Sequence, residues 1–262
     1  MKTFIKFFGV LFILLFQFTS CLNDDDRKPI YFFYDEPVVV DQMGDYPTIR
    51  NQSNLFYVPE LAGDETLKAG DLLWTSFIVD LDNEKDLPSH FSTNYYIAEH
   101  FNYEIVDSAK VIIPANAEEF QSYLSDDYTA PIELSVLYHY AIDSLWFFGF
   151  KQRDQSNQLS HTYELILNPE LENGSYPTLY IRSKQINASA EGHGKARSRD
   201  GYIIFAFDVN DFVDYYRQAI SSSGYVRFNL KYKTDVDVNG NDIYKEFMSN
   251  PISWDFSLGK PQ

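Results

Sequence analysis

The sequence predicts an all-β fold, with a curled sheet or barrel in its first half and a β-sandwich carrying one short helix in its second. Aromatic residues make up 17% of the chain, with 20 tyrosines and 22 phenylalanines, and such flat side chains pack well on pleated sheets. Short apolar runs alternate with glycine and proline clusters, and Ile132, Leu134, Val136 and Tyr138 recur at every second position. A period of two is that of a half-buried strand.

The first 20 residues have the layout of a secretory signal peptide. Two lysines precede an uncharged apolar run over residues 7–16, and two small residues come directly before Cys21. A membrane-spanning helix needs about 20 apolar residues, which is more than this run contains. We therefore expect residues 1–20 to be a signal peptide that is removed, with a permanent membrane span as the alternative.

Cys21 marks the predicted cleavage site. Residues 18–21, FTSC, resemble a bacterial lipobox, in which the cysteine thiol receives a diacylglycerol and the chain is cut before it, although Phe18 departs from the usual aliphatic residue. Cys21 is the only cysteine in 262 residues, so it has no partner for an internal disulfide. We expect lipid on Cys21 to hold the mature protein on a membrane; an ordinary thiol is the alternative.

Residues 21–35 are predicted to be an acidic tether. Within it, Asp24, Asp25 and Asp26 resemble the acidic export signal that directs Bacteroidetes lipoproteins to the outer face of the outer membrane. The resemblance implies an outer-membrane location with exposure at the cell surface. A solvated acidic linker is the alternative interpretation.

The charge of the chain excludes nucleic acid as a partner. The formal net charge is −17, and removal of residues 1–20 takes away two lysines and no acid, which leaves −19. Binding to phosphate backbones requires a basic surface, and the densest basic cluster, residues 195–199, holds three bases beside Asp200. The field instead favours cationic partners.

Residues 36–126 are predicted to form the first β domain. Apolar runs bounded by glycine and proline predict strands at 38–40, 55–58, 72–80, 95–106 and 109–113, after a first strand that begins near residue 30. The run at 72–80, LLWTSFIVD, is apolar on both faces, so we expect this strand to be central. Residues 117–124 favour a short helix, because Phe120 and Leu124 share one helical face.

Residues 131–258 are predicted to form the β-sandwich, after a polar boundary that ends at Pro131. Strands are expected at 145–150, 163–167, 179–182, 202–207 and 225–232. One helix interrupts them. Asp208 can cap its start, and its helically spaced residues are Phe212, Tyr215, Tyr216 and Ala219.

Taken together, the chain resembles the NigD-like lipoproteins of Bacteroidetes. The resemblance rests on the order and spacing of four segments: 21–26 (CLNDDD), 67–74 (LKAGDLLW), 145–150 (LWFFGF) and 161–165 (HTYEL). It implies an N-terminal OB-like barrel over residues 36–126 followed by a C-terminal β-sandwich over 131–258. It also implies a role in bacteriocin immunity, and it brings no catalytic residues, since a fold by itself carries no chemistry.

The sharpest motif lies at residues 235–246, DVDVNGNDIYKE, which matches the spacing of an EF-hand calcium loop. Its ligands would be Asp235, Asp237, Asn239 and Glu246. An EF-hand needs a helix on each side, whereas the preceding residues predict a strand, and Asn-Gly between β-prone segments is a strong hairpin signal. We therefore predict a hairpin without metal and keep the calcium loop as the alternative.

Patterns typical of catalysis are missing from the sequence. It has no G-x-S-x-G nucleophile motif and no H-E-x-x-H zinc motif. Acid pairs at 118–119 and 126–127 have the residue type that glycosidases use, but 38 acidic residues produce such pairs by chance. The three tryptophans, Trp74, Trp146 and Trp254, could stack on sugars, yet their apolar surroundings favour core packing.

We accordingly expect a non-enzymatic binding or protective module that uses no cofactor. Its predicted partners are the membrane, through lipid on Cys21, and an unidentified protein or glycan. The alternative function is that of a carbohydrate-binding or glycan-processing surface protein.

Overall fold

The structure is a computed structural model that describes residues 28–91, 94–125, 129–152, 160–170, 176–186, 196–219, 225–247, 252–255 and 260–261. The predicted signal peptide, the lipidation site Cys21 and the export residues Asp24, Asp25 and Asp26 lie outside these ranges. The described chain consists mostly of β-strands arranged in two sheets, with two short α-helices. The predicted all-β fold is therefore confirmed.

The first sheet has six strands and curls into a half-barrel. Its strands are β1 (Ile30–Gln42), β2 (Thr48–Arg50), β3 (Leu55–Tyr57), β4 (Leu72–Asp80), β5 (Tyr95–Ile97) and β6 (Glu99–Ile105). They lie in the order β5-β3-β2-β1-β4-β6, and the neighbours are antiparallel except for the parallel pair β3 and β5. Residues 30–35, assigned above to the tether, form the first part of β1.

β4 lies between β1 and β6, as its apolar sequence predicts. Alternate residues of β4 enter different cores: Leu73 and Phe77 pack inside the half-barrel, whereas Leu72 and Trp74 pack against the second sheet. The core of the half-barrel also contains Phe56 from β3. A strand buried on both faces needs apolar residues at successive positions, which explains the unbroken apolar run at 72–74.

The second sheet has eleven strands. They are β7 (Asp107–Ile112), β8 (Thr129–Ala130), β9 (Ile132–Ile142), β10 (Leu145–Gln152), β11 (Ser160–Leu167), β12 (Thr178–Ile186), β13 (Ile203–Asp208), β14 (Tyr225–Val236), β15 (Asp242–Glu246), β16 (Ile252–Asp255) and β17 (Lys260–Pro261). The order is β17-β16-β14-β12-β11-β7-β13-β10-β9, with β15 paired to β14 and β8 to β12. β9 approaches β14 and β17, so the sheet curls around an aromatic core that includes Trp146, Phe150 and Tyr163.

β7 connects the two sheets. The chain leaves the half-barrel after β6 and enters the middle of the second sheet, where β7 runs parallel to β11 on one side and to β13 on the other. β7 belongs to the range 36–126 predicted for the first domain, yet it pairs only with strands of the second sheet. The passage between sheets thus occurs near Val106. The boundary before Pro131 remains a prediction.

The two helices occur where the sequence predicts them. Helix α1 is Ala117–Leu124, and its first turn is capped by Asn116 Oδ1, which accepts a hydrogen bond from Glu119 N at 2.9 Å. Phe120 packs α1 against Ile166 and Tyr180 on the second sheet. The side chain of Glu119 also accepts a hydrogen bond from Ala115 N. One member of the acid pair 118–119 therefore caps a helix, whereas residues 126–127 lie outside the described ranges.

Helix α2 is Asn210–Ala219, and Asp208 Oδ1 accepts a hydrogen bond from Asn210 N at 3.0 Å. Its buried face consists of Phe212, Val213 and Tyr216. Tyr215 was predicted to share this face, and it is instead 47% exposed. The apolar stripe is centred one position earlier, because Val213 rather than Tyr215 faces the sheet.

Candidate ligand site between the two sheets

The two sheets meet through a buried apolar cluster. The half-barrel contributes Val39, Leu72 and Trp74, and the second sheet contributes, among others, Phe147 and Ile204. Trp74 is only 4% exposed, and Trp146 is 1% exposed inside the second sheet, so the core-packing prediction is confirmed for both. The side chain of Trp254 lies outside the described part. The shared cluster holds the strands on either side of the junction in place.

A cleft of about 240 Å³ opens beside this cluster, and we call it the junction cleft. β1, β4 and β6 form one wall, and the chain between Ala196 and Tyr202 forms the other. The lining residues are mostly polar: Asp35, Trp74, Thr75, Ser76, Asn102, Tyr103, Glu104, Arg197 and Arg199. Acidic, basic, amide and hydroxyl groups therefore share one concave surface.

Asp35 is held in a strained backbone conformation in this cleft. Its φ is 54°, at a bulge where the register of β1 with β4 shifts between Phe33 and Glu36. Such a conformation costs of order 1–3 kcal/mol for a residue other than glycine. The carboxylate of Asp35 accepts a hydrogen bond from Trp74 Nε1 at 3.0 Å and lies 3.8 Å from Arg199 Nε. The bulge thus directs a carboxylate at the indole and the guanidinium together.

The opposite wall is attached through its backbone. Arg197 N donates a hydrogen bond to Glu104 Oε2 at 2.7 Å, and Arg197 pairs with Ile203 in an isolated bridge. The side chain of Arg197 is therefore presented from a fixed backbone, and it is exposed. The Arg199 guanidinium lies 3.9 Å from the centre of the Tyr34 ring, close enough for a cation–π interaction.

Tyrosine hydroxyls extend this polar surface along the second sheet. Tyr138 donates to Asp200 at 2.8 Å, and Tyr202 donates to Glu133 at 2.9 Å. Burial, and then the hydrogen bond to Asp200, raises the pKa of Tyr138; the hydrogen bond to Glu133 raises the pKa of Tyr202. Both hydroxyls remain neutral donors at physiological pH.

A partly buried carboxylate lies behind the cleft. Glu36 Oε1 accepts a hydrogen bond from Asn51 Nδ2 at 2.7 Å. Burial raises the pKa of Glu36 above that of an ordinary glutamate, and this hydrogen bond opposes the rise. Tyr140 faces the same region, and its pKa is raised by burial and by the negative charges of Glu36 and Asp35. A perturbed carboxylate beside a cleft is typical of functional sites and also of structural networks.

The described residues offer one histidine–serine contact, and it is closed to a substrate. His161 Nδ1 lies 3.0 Å from Ser183 Oγ, on neighbouring strands β11 and β12. Ser183 is only 1% exposed, and burial lowers the pKa of His161. A nucleophile must reach its substrate, so this pair is a contact within the sheet.

Residues 235–246 form a β-hairpin, as predicted. β14 and β15 are antiparallel around a turn with Gly240 at φ 87°. Asp237 Oδ1 accepts hydrogen bonds from Asn239 N and Asn241 N, both at 2.8 Å. The hydrogen bond from the Asn241 side chain lowers the pKa of Asp237 most, and the two backbone hydrogen bonds lower it further. The carboxylate that would bind calcium instead stabilises the turn.

The other proposed calcium ligands do not converge. Asp235 Oδ1 accepts a hydrogen bond from Val236 N, and Glu246 lies at the far end of β15, 3.8 Å from Lys231 Nζ. Strands, and not helices, flank the loop. Within the described ranges, no group of three or more histidine, cysteine, aspartate or glutamate side chains is arranged to hold a metal ion. The helices in the same ranges are too short or too polar to cross a membrane.

Comparisons with known proteins identify the fold. No family model matches the sequence, and no curated protein matches it significantly. A solved structure from Bacteroides fragilis, described as a "putative lipoprotein", is 11% identical, covers 84% of this chain and 96% of its own, and has a TM-score of 0.51. A "putative toxin related protein" from Parabacteroides distasonis is 14% identical, with coverages of 88% and 96% and a TM-score of 0.49.

A third solved structure, a protein of unknown function of the DUF1344 group from Bacteroides vulgatus, is 15% identical, with coverages of 84% and 90% and a TM-score of 0.48. At these identities the likeness concerns the fold alone. The chain thus shares the fold of the Bacteroides fragilis structure, and its function must be argued from its own residues.

Sequence reasoning did not single out the residues of the junction cleft as a site. Asp35 was assigned to the tether, and Arg197 and Arg199 were considered only as part of the basic cluster 195–199. Trp74 was considered for sugar stacking but assigned to the core, and a basic cluster in an acidic chain was the other available signal. The register shift in β1 that brings Asp35 to Arg199 has no signature in the sequence.

Proposed function

We propose that this chain is a lipid-anchored lipoprotein of the outer membrane, exposed at the cell surface, that binds a partner without changing it chemically. The observation that carries the binding role is the junction cleft, a concave polar surface built on two packed sheets. Two features support the anchor: the lipobox-like residues before Cys21 and the fold shared with a structure described as a "putative lipoprotein".

The size and chemistry of the cleft suit part of a larger ligand. Its volume of about 240 Å³ is below the roughly 300 Å³ at which pockets for whole small molecules begin. It presents carboxylates from Asp35 and Glu104 and the guanidinium of Arg197 within one opening. Such a surface recognises a segment that carries both donors and acceptors, such as one side chain or one sugar of a longer molecule.

If the partner is a toxin, binding it would protect the cell, as in the bacteriocin immunity that the NigD-like resemblance implies. A mature charge of −19 attracts cationic proteins and speeds their encounter. This attraction weakens with salt, because the screening length falls from about 10 Å at 0.1 M to about 3 Å at 1 M. Capture at the surface would keep such a toxin from the membrane.

The alternative is a carbohydrate ligand. Tyr34, stacked on Arg199 at the edge of the cleft, provides an aromatic ring beside the carboxylates of Asp35 and Glu104. Aromatic rings and planar polar groups are what sugar rings contact. A glycan panel applied to the purified protein separates the two proposals: cleavage of a glycan that is lost on changing one carboxylate would overturn the non-enzymatic role.

The anchor is tested by Cys21→Ala. Lipid labelling and membrane retention should both disappear, because no other residue of the chain can form the thioether. Persistent labelling would contradict the proposal. Alanine at Asp24, Asp25 and Asp26 should leave the protein lipidated but protected from protease added to whole cells. Equal digestion of both forms would make the acidic run a linker.

The binding role is tested in cells. Deleting the gene should sensitise them to a toxin from a related strain, and the wild-type gene should restore resistance. Arg199→Ala should fail to restore it, whereas the matched control Arg227→Ala, an exposed arginine on β14, should succeed. An unchanged response to every toxin of a panel would remove the immunity role.

A further inference from the structure

The first part of β1 has a strand on one side only. β4 pairs with β1 from Ile30 to Val39, but β2 pairs with β1 only from Val39 to Gln42. Within the described ranges, no strand lies beside residues 30–34 on the side away from β4. We call this side of residues 30–34 the free edge.

The backbone of the free edge is available for pairing. Leu81 N donates to the carbonyl of Pro29 at 3.4 Å, which makes Pro29 and Leu81 a hydrogen-bonded pair. In an antiparallel ladder such pairs alternate with pairs whose N–H and C=O groups point outward. Ile30 and Phe32 therefore direct their backbone groups away from β4, towards the free edge.

The side chains at the free edge are large, uncharged and exposed. Ile30, Tyr31, Phe32 and Tyr34 are 50%, 50%, 57% and 53% exposed. Proteins usually protect an unpaired edge with charges, proline or a bulge. This edge has the opposite composition, and contiguous exposed apolar residues mark interaction sites.

A pocket of about 220 Å³ lies directly beside the free edge. It is lined by Tyr31 and Phe33 from β1, Phe56 from β3, Tyr96 from β5, and Asn54, Val79 and Leu81. It therefore occupies the position that a longer β2 would take between β1 and β3. A strand added to the free edge would direct every second side chain towards this pocket.

Charge determines which kind of strand fits. Asp80 faces Ile30 across the sheet, and Asp82 accepts a hydrogen bond from Lys28 N. Asp35 and Glu36 follow the other end of the free edge, where Arg199 lies beside Asp35 and Tyr34. Four carboxylates thus outnumber the two basic side chains, Lys28 and Arg199, around the free edge. The pocket itself has no charged lining residue. A second copy of the mature chain would bring the same acidic flanks and a net charge of −19, and an anionic lipid surface would also be repelled.

We propose that the free edge of β1 binds an extended cationic peptide segment of a partner protein by strand addition, with alternate apolar side chains entering the adjacent pocket. Backbone hydrogen bonds to Ile30 and Phe32 supply affinity, and the pocket selects the side chains. This deepens the proposed function, on which it rests, by naming the chemical class of the partner.

The test uses the full chain purified in neutral detergent and a fluorescein-labelled nine-residue peptide in which isoleucine and lysine alternate. Fluorescence anisotropy should show saturable binding, and hydrogen exchange should slow at residues 30–34. Replacing every second isoleucine of the peptide by proline should weaken binding at least tenfold, because proline cannot donate to the ladder.

Protein variants assign the site. Tyr31→Lys should weaken binding at least tenfold, and the matched control Tyr215→Lys, an exposed tyrosine on α2, should leave it unchanged. Phe32→Pro removes a backbone N–H that points towards the free edge, so it should also abolish binding. If this proline variant fails to fold, Tyr31→Lys still tests the proposal.

Three results would overturn the inference. Equal binding to all variants would indicate attraction by net charge alone. A concentration-dependent dimer, or flotation with vesicles of anionic lipid, that requires Tyr31 would assign the free edge to a second copy or to lipid. If Tyr31→Lys loses peptide binding in vitro while cells that carry this variant keep their toxin resistance, the free edge is not where the toxin is captured. The proposed function would then still stand.

Discussion

β1 carries large apolar side chains along most of its length, yet its two parts have opposite surroundings. Val38, Val39 and Val40 are almost completely buried, because β2, β4 and the second sheet enclose them. Ile30 and Phe32 are at least half exposed, because among the described strands only β4 pairs with this part of β1. The same strand thus stabilises the core at one end and offers a binding edge at the other, and Asp35 lies between the two parts.

The largest expected effect separates the two parts directly. Val38→Asp should reduce the free energy of unfolding by more than about 4 kcal/mol, because it places an unpaired charge in the core. Phe32→Asp should change it by no more than about 0.5 kcal/mol. Urea denaturation of both variants measures the difference. Similar losses would mean that the free edge is covered in solution.

A second variant, Gly149→Ala, disturbs the second sheet where it packs against the buried part of β1. A Cβ atom on Gly149 would lie 2.8 Å from Tyr138 Cβ and 3.2 Å from Tyr202 Cβ. Tyr138 packs near Trp74 at the junction. Gly149→Ala should therefore cost about 1–3 kcal/mol through overpacking and should leave peptide binding at the free edge unchanged. Calorimetry and the anisotropy assay report the two quantities, and a change in both would couple the two ends.

Two substitutions separate the effect of the Asp35 backbone conformation on stability from the effect of its carboxylate. Asp35→Ala loses the hydrogen bond to Trp74 and keeps a side chain at φ 54°, whereas Asp35→Gly loses the bond and relieves the backbone. We expect the alanine variant to be less stable than the glycine variant by about 1 kcal/mol. Thermal unfolding of the pair tests this, and equal stability would show that the bulge is unstrained.

Glu36 gives a smaller, pH-dependent effect. Burial raises its pKa in the folded state, so the folded chain holds this proton more tightly than the unfolded chain does. The resulting stabilisation is complete below the unfolded pKa and is lost as pH rises through the folded pKa. The wild type should therefore lose stability relative to Glu36→Gln between about pH 4 and neutrality. A constant difference across this range would contradict it.

For added calcium we expect no effect on stability. Calcium should not change the melting temperature, because the hairpin uses Asp237 within its own turn. A site with free calcium at 100 times its dissociation constant would add about 2.7 kcal/mol, which a thermal scan detects. An upward shift that Asp237→Ala removes would show that the hairpin, like the free edge, takes a ligand.

Most of the long strands, both helices and the hairpin were predictable because their signals are local, whereas the short strands β2, β8, β16 and β17 were not predicted. Alternating residues in β9, the cap before α2 and Asn239-Gly240 each act over a few positions. Assigning Tyr215 to the buried face of α2 was wrong, because the strands that cover this helix are distant in the sequence. The sequence does not state which side of a helix or strand will be covered.

The amino-acid sequence by itself determined the all-β class, the acidic charge and the positions of the turns, since composition and short-range spacing set these. Tertiary structure alone decided that β7 lies between β11 and β13, that Asp35 meets Arg199, and that residues 30–34 have a free edge. These features join residues far apart along the chain. They depend on the register and packing of whole sheets, where the cost of closing long loops is offset by burial, and no local pattern encodes that balance.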